Sequence, residues 1–345
     1  MKSVPYIFVC SVFLLSAKTP LFVSNIPQAH RVTVEKVTDS YGLSEGPQWD
    51  HRTQKLFFVD IYNQYIRRLD PATGVVTSAY VDHGPVSVVV TVSGTTDKLV
   101  AGSGKDLILV SWDGEQNEKN VTFKVLTSIE PSSSDTRTND GKVDLSGRFW
   151  LGTMANELNG RTGDWGNAPK LGSLYRINET LQSEKEITPV TISNGLAWNI
   201  KDDTFYYIDS PTYQVAAYDY NSNEGTMSNK RIVFDLRKTN MTGIPDGMTI
   251  DKSGNLWIAV NGESHVILVN PKTQDLLKMV EIPAVSVTSV AFGGPLLDIL
   301  YVTTSGYNLT AEERKKTPDA GSVFAVKNLG ICGVPGNSFK CNSCD

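Results

Sequence analysis

Histidine and cysteine are scarce in this chain, with four of each among 345 residues. The histidines stand at 30, 51, 83 and 265, too scattered to form a motif. Each reads as a surface or satisfied core residue rather than a catalytic base. Basic charge is not in excess: 32 Lys and Arg against 37 Asp and Glu leave a net charge of −5. Without a dense basic run, nucleic acid is excluded as a partner. The Gly-x-Ser-x-Gly elbow is missing, which argues against a Ser-His-Asp hydrolase. Gly102-Ser103-Gly104-Lys105 has the glycines of a phosphate loop, but Asp106 stands where Ser or Thr is required. Helical periodicity is also missing, so no helix is expected.

Long apolar runs are confined to the N-terminus. Lys2 precedes an apolar stretch from Val4 to Leu15, which is too short to span a bilayer. It reads as a secretory signal peptide over 1–17, with cleavage at Ala17 or anywhere up to 29. A secreted, extracellular protein with no membrane segment after cleavage is expected. Cys10 falls in that signal; Cys332, Cys341 and Cys344 crowd the last fourteen residues. In an exported chain they point to a disulfide between Cys332 and one of the other two, leaving one thiol over. One further cysteine and no nearby His make Cys341-Asn-Ser-Cys344 a poor zinc site. Four Asn-x-Ser/Thr sequons, at Asn120, Asn178, Asn240 and Asn308, are compatible with a secreted glycoprotein.

What the chain does have is period-two alternation, broken by turn residues every six to twelve positions. Leu56–Asp60, Phe205–Asp209, Leu256–Val260 and Ile299–Thr303 are clear strands. Ahead of them recur short segments led by a small polar residue. Four are Glu45-Gly46, Asp140-Gly141, Asn194-Gly195 and Asp246-Gly247; two degenerate copies lie near Gly84–Val88 and Thr288–Phe292. Their spacing, about 41 to 54 residues, is that of a propeller blade with three or four strands. We therefore expect an all-β fold, a six-bladed β-propeller over 31–329, followed by a cysteine-containing tail over 330–345. Arg31–Val37 alternates without a partner of its own and is assigned as the outer strand of the last blade, where it would cover an open edge. Asp144 and Asp251, five places beyond their leads, open Asp-x-Ser-Gly turns and read as turn residues rather than ligands.

If the lead residues are equivalent, they lie at one depth around one axis. Glu45, Asn194 and Asp246 then offer an oxygen-only donor set of formal charge −2. That set suits one hard divalent cation, Ca²⁺ first, then Mg²⁺ or Mn²⁺, with Zn²⁺ less favoured. Capped turns or a wet channel would account for the same residues without any metal.

Longer motifs favour the metal. Arg137-Thr-Asn139-Asp140-Gly141-Lys142-Val143-Asp144 continues to Arg148-Phe149-Trp150-Leu-Gly152-Thr153-Met154. With Glu45-Gly46-Pro47-Gln48-Trp49, Ser193–Trp198 and Pro245–Met248, this string resembles the family of regucalcin (senescence marker protein), gluconolactonases and the firefly luciferin-regenerating enzyme. Ser289–Pro295 followed by Leu300–Thr303 looks most like insect members. The resemblance runs from about Val34 to Leu329 and leaves out the signal segment and the cysteine tail. It implies one divalent cation held by Glu45, Asn194 and Asp246, with Asp246 also the general base. It implies substrate contacts from Arg137, Asn139 and Glu157, the last on an irregular Gly-rich loop, 156–170, that carries Trp165. Asp140 is left a supporting or turn role, and the two degenerate units give no ligand, so the cation should sit off-centre. The implied activity is metal-dependent hydrolysis of a small-molecule sugar lactone by a monomer. The alternatives are a non-catalytic secreted calcium- or ligand-binding propeller and a luciferin-regenerating activity. A paraoxonase-like lactonase should show a histidine pair at the channel, which is missing.

Overall fold

The computed structural model describes residues 31–156 and 168–344. The expected signal peptide, Glu157 and Trp165 lie outside the described residues. Strand β1 (Thr33–Lys36) leads into a first unit of β2 (Ser44–Asp50), β3 (Lys55–Asp60), β4 (Tyr65–Asp70) and β5 (Val75–Tyr80). The second unit is β6 (Val86–Thr91), β7 (Lys98–Ser103), β8 (Asp106–Ser111) and β9 (Phe123–Ser128). The third is β10 (Thr136–Val143), β11 (Phe149–Ala155), β12 (Gly172–Ile177) and β13 (Ser183–Val190). The fourth is β14 (Ser193–Trp198), β15 (Thr204–Asp209), β16 (Gln214–Asn221) and β17 (Thr226–Asp235). The fifth is β18 (Ile244–Ile250), β19 (Leu256–Asn261), β20 (His265–Asn270) and β21 (Asp275–Glu281). The last contains β22 (Ser286–Gly293), β23 (Ile299–Ser305) and β24 (Val323–Lys327), with β1 antiparallel to β24. The first and last strands of the described residues therefore share one sheet. A single residue pair, Asn261 opposite Ser286, joins the last two units into one eight-stranded sheet.

The fold is all-β, and these antiparallel meanders form its blades. Burial grades across each one. The first strands, such as β2 and β18, are buried along their whole length, whereas outer strands such as β13 and β21 are mostly exposed. First strands neighbour one another in sequence order: β2 packs on β6, then β10, β14, β18 and β22 follow, and β22 packs on β2. The apolar core lies between successive blades. One cluster, for example, joins Ala197, Tyr206 and Ile208 of the fourth unit to Met248, Ile250 and Ile258 of the fifth.

Every first strand carries one extra residue against its partner, at an equivalent place. The shifts fall between Glu45 and Gln48, Val86 and Val88, Thr138 and Gly141, Ser193 and Leu196, Pro245 and Met248, and Val287 and Ser289. Such bulges re-aim side chains away from the ladder. Glycine next to the lead residue allows the close approach this needs. A Cβ on Gly247 would collide with Ser289, and one on Gly195 would come within 2.7 Å of the Asp246 carbonyl.

At the other end of the first strands, Asp144 and Asp251 serve the turns. Asp251 accepts from the Ser253 and Asn255 amides and from Trp257 Nε1. Asp144 accepts from Arg148, Trp150 Nε1 and Tyr220.

Two expectations are corrected. A short helix, α1 (Ala311–Lys316), is present; Thr310 and Glu313 form its capping box, and none of its residues is buried. With no face to bury, it leaves no apolar periodicity in the sequence. The disulfide joins Cys341 to Cys344, and Cys332 is the thiol left over. The reason is the course of the tail, which runs extended across the lower mouth. Next to Cys332, Gly333 bridges Asp251 in the fifth unit, whereas Lys340 N donates to the Gly147 carbonyl and Asn342 N to Glu179 in the third.

Candidate active site

The bulges bring Glu45, Asn194 and Asp246 to the upper ends of three first strands, and all three are buried. Asn194 Nδ2 donates to Ser210 Oγ at 2.7 Å, which turns its Oδ1 toward Asn139 Nδ2, 3.1 Å away. Asn139 Nδ2 also donates to the Ser193 carbonyl and so ties the third unit to the fourth. Asn261 Nδ2 holds Asp246 Oδ2 at 3.0 Å. Arg137 Nη1 donates to Asn139 Oδ1 (3.1 Å) and the Thr138 carbonyl, and its Nη2 to the Tyr62 hydroxyl (3.3 Å). Its Nε is buried without a partner.

The electrostatics are those of acids crowded away from water. Loss of hydration pushes the Asp246 carboxyl up to about 8, and nearby Asp140 adds to this while the Asn261 bond opposes it. Glu45 is raised well above the usual range, first by burial and then by the Asp246 and Asp140 carboxylates. Asp140 is raised by burial, with Lys142 opposing. Lys142 itself is lowered to about 8 by lost hydration, and its Nζ donates to the Met248 carbonyl. Among the described residues no three His, Cys, Asp or Glu side chains form a metal-binding group. The donor set here mixes two carboxylates with one amide oxygen.

Thus five of the expected residues converge: Glu45, Arg137, Asn139, Asn194 and Asp246. Glu157 lies outside the described residues. Ser87 and Thr288 occupy the corresponding bulges in the second and last units. Their hydroxyls are consumed by neighbours, Thr138 Oγ1 and the Ser44 carbonyl respectively. Sequence reasoning missed the supporting residues Tyr62, Ser210 and Asn261. Only Asn261 left a signal, as a polar residue ending an otherwise apolar strand.

A family model described as "SMP-30/Gluconolactonase/LRE-like region" matches residues 43–306. The chain belongs to this family. Among SMP-30/gluconolactonase relatives, the Gallus gallus regucalcin is 35% identical over 302 residues, 88% of this chain and 96% of that protein. The Homo sapiens regucalcin is 35% identical over 300 residues, 86% of this chain and 94% of that one. A solved luciferin-regenerating enzyme superposes with a TM-score of 0.84 at 36% identity, covering 90% of this chain and all of the other. A calcium-binding regucalcin from Agrobacterium tumefaciens shares the fold, with a TM-score of 0.78 at 21% identity over 89% of this chain and 97% of that one.

Proposed function

We propose that this protein is a lactonase whose site binds one divalent cation through Glu45, Asn194 and Asp246, on a closed six-bladed β-propeller. One observation carries the reading: three buried oxygen ligands sit at equivalent bulges beside an Arg137–Asn139 pair already fixed by hydrogen bonds. Two carboxyls raised by burial and by neighbouring carboxylates fit a site that needs positive charge, and an all-oxygen donor set fits a hard cation, Ca²⁺ ahead of the others. When bound, such a cation supplies Lewis-acid polarisation of a carbonyl.

The chain's own residues supply the rest. Arg137 and Asn139 orient hydroxyls of a sugar lactone beside the carboxylates. Asp246, with Oδ2 held by Asn261, accepts a proton from the attacking water. The water oxygen bonds to the lactone carbonyl carbon and the ring C–O bond breaks. The proton passes from Asp246 to the departing ring oxygen, giving the open hydroxy acid. Export is part of the proposal, supported by the Cys341–Cys344 disulfide.

The test is turnover of a lactone panel by purified protein after EDTA, with Ca²⁺, Mn²⁺, Mg²⁺ or Zn²⁺ restored singly. Activity that returns with one cation supports the reading. No hydrolysis with any cation leaves a binding protein of the same fold.

A further inference from the structure

At the opposite end of the first strands lies a second concavity, of about 250 Å³. The lower ends of β2, β10, β14, β18 and β22 line it through residues such as Trp49, Lys142, Trp198, Ile250 and Phe292. Its remaining wall is the tail, Val334–Asn337. Gln48 Nε2 donates to the Asn337 carbonyl, and Asn337 Nδ2 to that of Val143, which pins this wall in place. The tail lies beyond residues 43–306, so this wall is outside the region the family model matches.

The lining has a one-sided polarity. It is mainly apolar, it contains no Asp or Glu, and its one formal charge is Lys142. The Lys142 ammonium spends one of three donors, on the Met248 carbonyl. An ammonium with donors to spare beside an apolar hollow calls for an anionic acceptor on an apolar body. The volume equals roughly eight waters of bulk liquid, which limits that body to a small molecule.

We propose that this lower pocket binds a small apolar carboxylic acid, with its carboxylate at Lys142 and its hydrocarbon body among Trp49, Trp198 and Phe292. The proposal does not rest on the lactonase reading, although Lys142 also feels the Asp140 carboxylate of the upper site. A ligand that binds the folded chain raises its melting temperature by mass action.

The test uses octanoate as probe, with 1-octanol and acetate as controls, on the full folded protein in EDTA. Octanoate should raise Tm in a concentration-dependent way, octanol less and acetate not at all. Ala291→Leu, which fills the pocket, should abolish the octanoate shift while circular dichroism stays unchanged. Lys142→Met should weaken octanoate about tenfold or more and leave octanol within twofold. If Ala291→Leu does not fold, the Lys142→Met comparison decides alone. No octanoate shift in the parent protein, or equal shifts in the parent and both variants, overturns the proposal.

Discussion

In the proposed reading Asp246 is both cation ligand and general base. Asn261 holds one carboxylate oxygen, and in the absence of a cation burial pushes the carboxyl up to about 8. Asp246→Asn keeps the shape and removes the charge. It should lower kcat by about 10²–10⁴-fold, the usual contribution of acid–base catalysis, with the melting curve retained. The role proposed for Arg137 rests on geometry. Its fork spans Asn139, Thr138 and Tyr62 at once, and a lysine cannot. Arg137→Lys should cut kcat/KM by about 10–100-fold, mostly through KM, in steady-state assays over a range of lactone concentrations. At this scale the sequence was informative about leads and nearly silent about supports. Glu45, Asn194 and Asp246 were legible because each precedes glycine or follows proline at a repeated spacing. Ser210 and Tyr62 were not, and Asn261 showed only as a polar strand end, because all three meet their partners only through the folded chain, at separations of 16, 75 and 15 residues.

The hairpin below β10 holds a buried ion pair. Asp144 is fully buried and pairs with Arg148, which is itself 8% exposed. Breaking a buried pair from one side strands the other charge. Asp144→Ala should therefore cost about 3–5 kcal/mol, read as a lower urea midpoint with unchanged m-value. The same turn chemistry was readable in advance, as Asp-x-Ser-Gly at 144 and 251. The bulges were not readable as such. The recurring Xaa-Gly pairs marked their places, but one extra residue against a partner strand is defined only by the register of that partner. Helix α1 shows the reverse case: its capping box, Thr310 to Glu313, stands in the sequence, but a six-residue helix with no buried face has no periodicity to find.

At the scale of the whole molecule, the site's charges and the tail set behaviour. In the folded protein without a cation, Asp246 lies near 8 against an ordinary value of 3.8. The native state then holds a proton that the unfolded chain releases as pH rises above about 4, so stability falls through this window up to about pH 8. In EDTA, Tm should drop between pH 5 and pH 9, and Asp246→Asn should flatten the slope in the same scan. A bound divalent cation should flatten it as well, by taking the proton's place. The tail contributes separately. Phe339 is fully buried against Phe149, and its amide and carbonyl bond to Thr91 and Ser93. Phe339→Ala should cost about 3–5 kcal/mol in chemical denaturation, a cost expected for a core side chain rather than a loose appendage.

The amino-acid order by itself determined the all-β character, the repeated unit and the polar leads, because alternation, turn residues and spacing are local properties that survive in one dimension. Tertiary structure decided which supports reach which leads, where the tail lies and which cysteines meet. Cys332 ends over the fifth unit and Cys341 over the third, and only a chain already folded into blades holds those two places apart.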